Sequence, residues 1–136
     1  MRKAIRSLVR REPDAAEGLS AVVGLGAGLT PSADDALVGA LCVLSAQRTQ
    51  SGALREQMLG WLSAEGAVAT TDVSLSYLRL AFDGAFSAPI THVVGCLADE
   101  FSQDDLDEAV RALSALGAAS GMDTALGIEL ACEYLN

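Results

Sequence analysis

Residues 24–39 read GLGAGLTPSADDALVG, and they hold most of the polar chemistry this chain can offer. Three glycines alternate through a short loop. Thr30, Pro31 and Ser32 follow, and then Asp34 and Asp35 stand side by side ahead of an apolar run. Backbone N–H groups at the start of a helix are unpaired and attract anions. The two carboxylates work against that, because they occupy the same positive end. Two readings stay open: the aspartates are structural caps, or they hold a cation or a hydrogen-bond donor that meets a ligand. Two carboxylates with carbonyls and waters suit Mg²⁺ better than zinc, so Asp34 and Asp35 are the candidate metal ligands. GLGAGL spells GxGxG rather than GxGxxG, and no GK[ST] accompanies it, which excludes a Walker loop. The likeness to the glycine-rich phosphate loop of small-molecule kinases covers few residues and has no supporting motif.

The loop has an echo near the C-terminus. Ser32-Ala-Asp-Asp35-Ala-Leu-Val-Gly39 has the pattern S-x-x-D-x-x-x-G, and so does Ser120-Gly-Met-Asp123-Thr-Ala-Leu-Gly127. Each serine is expected to cap a helix, with an acidic residue three positions on, a device worth roughly 1 kcal/mol. Each glycine falls one helical turn past its aspartate. A glycine inside a helix costs about 1 kcal/mol against alanine, and close helix–helix approach would repay it. The two helices are therefore expected to cross near Gly39 and Gly127. That crossing brings Asp35 and Asp123 together, and it adds Ser120, Gly121 and Asp123 to the candidate site.

The elements that must position these groups are helical. Ala36–Leu44 is apolar without interruption, and a helix apolar all round is buried all round. A central helix over 31–47 is therefore expected. At 103–116, Leu106, Ala109, Val110, Leu113 and Leu116 share one face, with Ser102 as N-cap, Gly117 as stop and Asp107–Arg111 as a surface pair. Residues 72–83 carry an apolar face of Val73, Tyr77 and Leu80 with Leu78 and Phe82 beside it. Shorter helices are expected over 52–64 and over 88–99, the latter entered through Pro89. AVVGL at 21–25 could run extended as one short strand. The expected fold is all-α: a multi-helix bundle of six to eight helices around a buried central one, a single domain over residues 1–136.

Composition agrees with that class. Hydrophobic residues make up 51% of the 136-residue chain and aromatics 4%, so the core is aliphatic and small-residue, which suits close-packed helices more than a sheet. Arg2, Lys3, Arg6, Arg10 and Arg11 supply five of the nine basic residues, leaving four against eighteen acidic ones from Glu12 onward. Such a body repels nucleic acid. Residues 1–12 are expected to form a basic amphipathic helix with Ile5, Leu8 and Val9 docked on a protein surface rather than a membrane. No apolar run reaches the roughly 18 residues of a spanning helix, and no signal-peptide core is visible. A cytoplasmic location is expected. Cys42, Cys96 and Cys132 are far apart in apolar contexts, which predicts buried reduced thiols rather than a disulfide framework. His92 is the only histidine and has no evident catalytic partner.

Taken together, GLGAGLTPSADDALVG, TTDVSLSYLRLAFDG and LGAASGMDTALG resemble, in order, the three blocks of the AllH family. That family is associated with oxamate carbamoyltransferase in anaerobic allantoin degradation. The blocks resembled are G-x-G-x-T-P-S-G-D-D, a middle block with T, S, L and A-x-x-G, and G-x-T-S-G-x-D-x-x-x-G. The likeness spans about residues 20–130 and corresponds to the C-terminal helical domain of longer family members. Ala33 stands where glycine is usual, and Ala118 and Ala119 stand where the late block often has His-Thr. The resemblance implies a place in a multisubunit transferase of purine catabolism, with other subunits or a second copy as partners. If this chain holds a site, the residues assign the N–H groups of Gly26–Gly28 to a small anion, with Thr30 and Ser32 donating hydroxyls. Asp34, Asp35 and Asp123 would bind a cation or orient a substrate amide, and Thr71 and Ser74 would face the same cavity. The serine, threonine and arginine phosphate clamp of aspartate-type carbamoyltransferases is not visible, so whether this chain is itself catalytic stays open. The competing reading is a noncatalytic helical scaffold whose loop motifs are structural caps.

Overall fold

The computed structural model describes residues 1–99 and 101–136. At its centre, Ser32–Ala46 forms a helix in which every residue from Ala33 to Leu44 is buried. We number the helices in chain order: α1 Arg2–Arg10, α2 Ala15–Val22, α3 Ser32–Ala46, α4 Gly52–Ala69, α5 Asp72–Phe82, α6 Ala88–Ala98, α7 Gln103–Ser114 and α8 Ser120–Leu135. The described residues contain no strand, as an all-α reading requires.

α3 packs along α8 over most of its length, with α5 and α6 on its other sides and α1 touching it. The expected close crossing is present and reciprocal. A Cβ at Gly39 would lie 2.2 Å from the Thr124 carbonyl oxygen, and one at Gly127 would lie 1.8 Å from that of Ala36. Each glycine therefore receives the backbone of the other helix. α1 lays Ile5, Leu8 and Val9 against α8 and α2, so its apolar face is consumed internally while its basic residues mostly face outward. All three cysteines are free thiols: Cys42 and Cys96 are buried and Cys132 is half-buried. His92 is exposed on α6.

Several expectations need correcting. The stretch 21–25 is not extended: Ala21 and Val22 end α2, and Gly24 then turns the chain with φ at 83°. α4 runs on to Ala69 rather than stopping at 64. α5 buries Ser74, Leu75, Leu78, Ala81 and Phe82, so Val73, Tyr77 and Leu80 point outward. Ser32 and Ser120 are the first helical residues rather than the caps, which are Pro31 and Ala119. The repeat is preserved one step further in, with each aspartate at the fourth helical position. Ser102 does cap α7, in a reciprocal capping box with Asp105. Asp107 accepts from Gln103 at 2.8 Å instead of pairing with Arg111. Gly117, with φ at 62°, lies two residues past the α7 C-cap Ala115. Val110 and Leu116 are substantially exposed.

Candidate functional site

The two adjacent aspartates do different jobs, because successive side chains on a helix point about 100° apart. Asp34 turns inward and is 1% exposed. Its Oδ1 accepts from the Gly24 N–H at 2.7 Å, and its Oδ2 accepts from the hydroxyls of Thr70 at 2.5 Å and Ser74 at 2.6 Å. One carboxylate thus ties together the glycine loop, the α4–α5 junction and the start of α3. Ser74 is spent on this clamp rather than facing a cavity. Thr71 caps α5 by accepting from the Ser74 N–H at 3.1 Å, and its hydroxyl donates to the Leu29 carbonyl. Both middle-block residues therefore hold the loop in place. Thr70 and Gly24, the remaining members of the clamp, were not singled out by sequence. The only signal for Thr70 is its position beside a helix cap.

Asp35 turns toward α8. It is 6% exposed, and its buried Oδ2 has no hydrogen-bond partner. Thr30 of the loop and Ser120 at the start of α8 lie beside it, and the charge of Asp123, one turn along α8, acts on it. These three neighbours are half-buried, so Asp35 is the most enclosed member of the group. Burial raises the Asp35 carboxyl from its ordinary 3.8 to about 6. The nearby hydroxyls of Ser120 and Thr30 oppose the rise, whereas the charges of Asp123 and Asp34 add to it. Neither hydroxyl completes a bond to Oδ2.

The glycine loop leads into this group through Thr30. Leu25, Gly26, Ala27, Gly28 and Leu29 are exposed, as is Ser32. Among the described residues, the amides of Gly26, Ala27, Gly28 and Leu29 donate to no backbone carbonyl. Gly26 has φ at 127°, and a Cβ there would meet the Ser32 nitrogen at 2.5 Å. Gly28 has φ at 89° and open space around it. Gly121 is buried, and a Cβ on it would lie 1.8 Å from the Leu113 carbonyl oxygen, so it lets α8 start against the end of α7. No group of three or more His, Cys, Asp or Glu side chains among the described residues is placed to hold a metal ion. Open grooves exist elsewhere: one of about 410 Å³ near Val43, Val94 and Cys132, and one of about 320 Å³ between α1 and α2. Neither is lined by Thr30, Asp35, Ser120 or Asp123.

The sequence model described as oxamate carbamoyltransferase subunit AllH matches residues 22–132, from the end of α2 into the last turns of α8. The chain belongs to the AllH family. The match takes in all three blocks, so the Asp34 clamp and Asp35 with its neighbours Thr30, Ser120 and Asp123 lie wholly within it. No solved structure matches the chain. No helix among the described residues is long and apolar enough to cross a membrane.

An acid whose ionisation is opposed by the fold makes stability depend on pH in a defined direction. The Asp35 carboxyl is raised from 3.8 to about 6. Its protonated form is favoured in the native state, and that contribution is complete below about pH 4. It is lost as pH rises through about 6. Asp35→Asn is therefore expected to stabilise the unliganded protein above pH 7, with an upper limit on the order of 2–3 kcal/mol at 1.36 kcal/mol per unit. The gain should vanish near pH 4. Urea titrations of both proteins at pH 4, 5.5 and 7.5 check this. A variant less stable than wild type at pH 7.5 would contradict it.

Proposed function

We propose that this chain serves as a subunit, or a stand-alone domain, of an oxamate carbamoyltransferase-type assembly, in the cytoplasm, in allantoin and purine catabolism. Within it, the glycine loop and the SGMD turn hold a small anion. Family membership supports the assembly. The observation that carries the site is the Asp35 carboxyl: almost fully buried, without a partner at Oδ2, and set between Thr30, Ser120 and Asp123. A purely structural carboxylate would be satisfied, as Asp34 is, because an unpaired buried acceptor costs about 1–3 kcal/mol.

In this reading the anion rests against the amides of Gly26–Gly28 and the hydroxyls of Thr30 and Ser32. Asp35 and Asp123 form the opposite wall, open to a cation such as Mg²⁺ or to a hydrogen-bond donor. Partial protonation of Asp35 softens the repulsion an incoming anion would meet. Asp34 lies outside the contact set, since all its oxygens serve the clamp. The scaffold reading draws support from a different observation: Val73, Tyr77 and Leu80 line one exposed stripe of α5, a surface that a partner subunit would cover.

Titration of the ¹⁵N-labelled chain with oxamate and with carbamoyl phosphate separates the two. The expected result is shifts confined to amides 26–32 and 119–124, with Thr30→Ala weakening binding about tenfold, the worth of one hydrogen bond to a charged group. A spectrum unmoved at those amides by millimolar ligand would leave the loop a structural feature and the scaffold reading in place.

A further inference from the structure

We propose that α5 is a homodimer interface, across which two copies of this chain pair antiparallel. Val73 packs against the partner's Leu80, Tyr77 lies at the two-fold axis, and Asp72 meets the partner's Arg79. The inference names what covers the exposed stripe of α5 and stands apart from the anion site. Val73, Tyr77 and Leu80 are all exposed, and at 100° per residue they fall within about 60° of one another. The apolar surface continues past the N-terminal end of α5. Leu29, whose carbonyl accepts from the Thr71 hydroxyl, is 72% exposed, and Val68 in the last turn of α4 is 90% exposed. That continuation matters, because a specific interface buries at least about 1,000 Å². Eleven residues of α5 span only about 16 Å. Antiparallel pairing carries the far end of the partner's α5 toward Leu29 and Val68.

The charges on α5 select a second copy as the occupant. Asp72 and Arg79 are both exposed, and neither joins an ion pair among the described residues. They are seven residues apart, which puts them on one edge of the stripe, within about 20° of each other around the helix. A two-fold axis perpendicular to the helix reverses its direction and keeps that edge on the same side. Asp72 therefore meets the partner's Arg79, and Arg79 meets the partner's Asp72. One patch complements itself, which is what an isologous interface requires. Asp83, on the same edge, is already neutralised by Arg55. The face is thus balanced on a chain whose formal net charge is −9. α7 shows the contrast. It also exposes Val110, but Asp104, Asp105, Asp107 and Glu108 stand against Arg111 alone, so two copies of that face repel. Tyr77 at the centre is of the residue type that most often carries interface energy.

Sedimentation equilibrium of the full chain, from micromolar to hundreds of micromolar, tests this. The expected result is a species of twice the 14.0 kDa chain mass. Tyr77→Asp should leave a folded monomer by circular dichroism, since that side chain is exposed. Arg79→Asp and Asp72→Arg should each weaken the dimer about tenfold, because the symmetry turns two attractive contacts into two repulsive ones. The double variant Asp72→Arg/Arg79→Asp should return to within roughly threefold of wild type, the signature of direct pairing. The charge variants carry the test by themselves, should Tyr77→Asp fold poorly. A chain that stays monomeric throughout would overturn the proposal and leave the stripe to a different subunit. A dimer indifferent to Tyr77→Asp would overturn it by placing the interface elsewhere. A double variant no tighter than the single ones would overturn the antiparallel pairing. None of these outcomes touches the anion reading, which has no residue of α5 in contact with the ligand.

Discussion

Gly127→Ala is expected to cost at least about 3 kcal/mol and to leave the protein partly or wholly unfolded at 37 °C. The new methyl would sit 1.8 Å from the Ala36 carbonyl oxygen and under 3 Å from that residue's carbonyl carbon and Cα. These are backbone atoms inside a helix, so no rotamer change relieves the clash, and α3 and α8 must move apart. Separation loosens the packing of two helices whose Leu37, Ala40, Leu41, Ile128 and Ala131 are all buried in the core. Overpacking ordinarily costs about 1–3 kcal/mol and more where nothing can yield. That is a large fraction of the roughly 5–15 kcal/mol that holds a domain together. Gly60 and Gly95 are the internal controls, since a Cβ on either meets nothing within 4 Å. Alanine at those helical positions should be neutral or stabilising by up to about 1 kcal/mol. Urea denaturation of the three variants reads the difference directly. A Gly127→Ala midpoint matching wild type would mean that the helices do not approach this closely.

The crossing was legible in the sequence because a glycine at the same place in two helices is an anomaly only backbone contact explains. The central helix was legible for a similar reason: an unbroken apolar run has no face to expose. The outward turn of α5 was not. Counting apolar side chains favours Val73, Tyr77 and Leu80, but the helix is oriented by Ser74, whose hydroxyl must reach Asp34 in the interior. Hydrophobic periodicity does not register a polar residue buried for its hydrogen bond. α2 escaped notice because it is only eight residues long and ends in Ala21 and Val22, whose run into Val23 imitates a strand. The Asp34–Asp35 pair was located but not resolved into its parts. Which aspartate faces Thr70 and Ser74, and which faces Ser120, depends on the rotation of α3, and that is set by packing along α8. Sequence spacing thus foresaw the crossing at Gly39 and Gly127, while the clamp that makes Asp34 structural needed residues from three separate segments.

That clamp sets the second large effect. Asp34→Ala is expected to destabilise the protein by about 3–5 kcal/mol, the range for removing one partner of a buried, charge-assisted network. It would strand three donors at once: the Gly24 N–H and the Thr70 and Ser74 hydroxyls. Each orphaned buried donor costs about 1–3 kcal/mol, with some recovery where a hydroxyl turns to another acceptor. Asp34→Asn should cost less, about 1–3 kcal/mol. Its carbonyl oxygen can still accept from Gly24, and its –NH₂ can donate to the two hydroxyls once they rotate to accept. The ordering wild type, Asn, Ala distinguishes a hydrogen-bonding clamp from mere space filling, for which Asn and Asp would be equivalent. The loss should also be local before it is global. Gly24 is held by Asp34 alone among the described hydrogen bonds, so its amide should exchange with solvent far faster in Asp34→Asn than in wild type. Core amides such as that of Leu41 should slow or quicken only with the overall stability. Hydrogen exchange followed residue by residue, beside urea denaturation of both variants, reads the two effects separately. An Asp34→Ala protein as stable as wild type, with Gly24 still protected, would show that the loop is held by something other than this carboxylate.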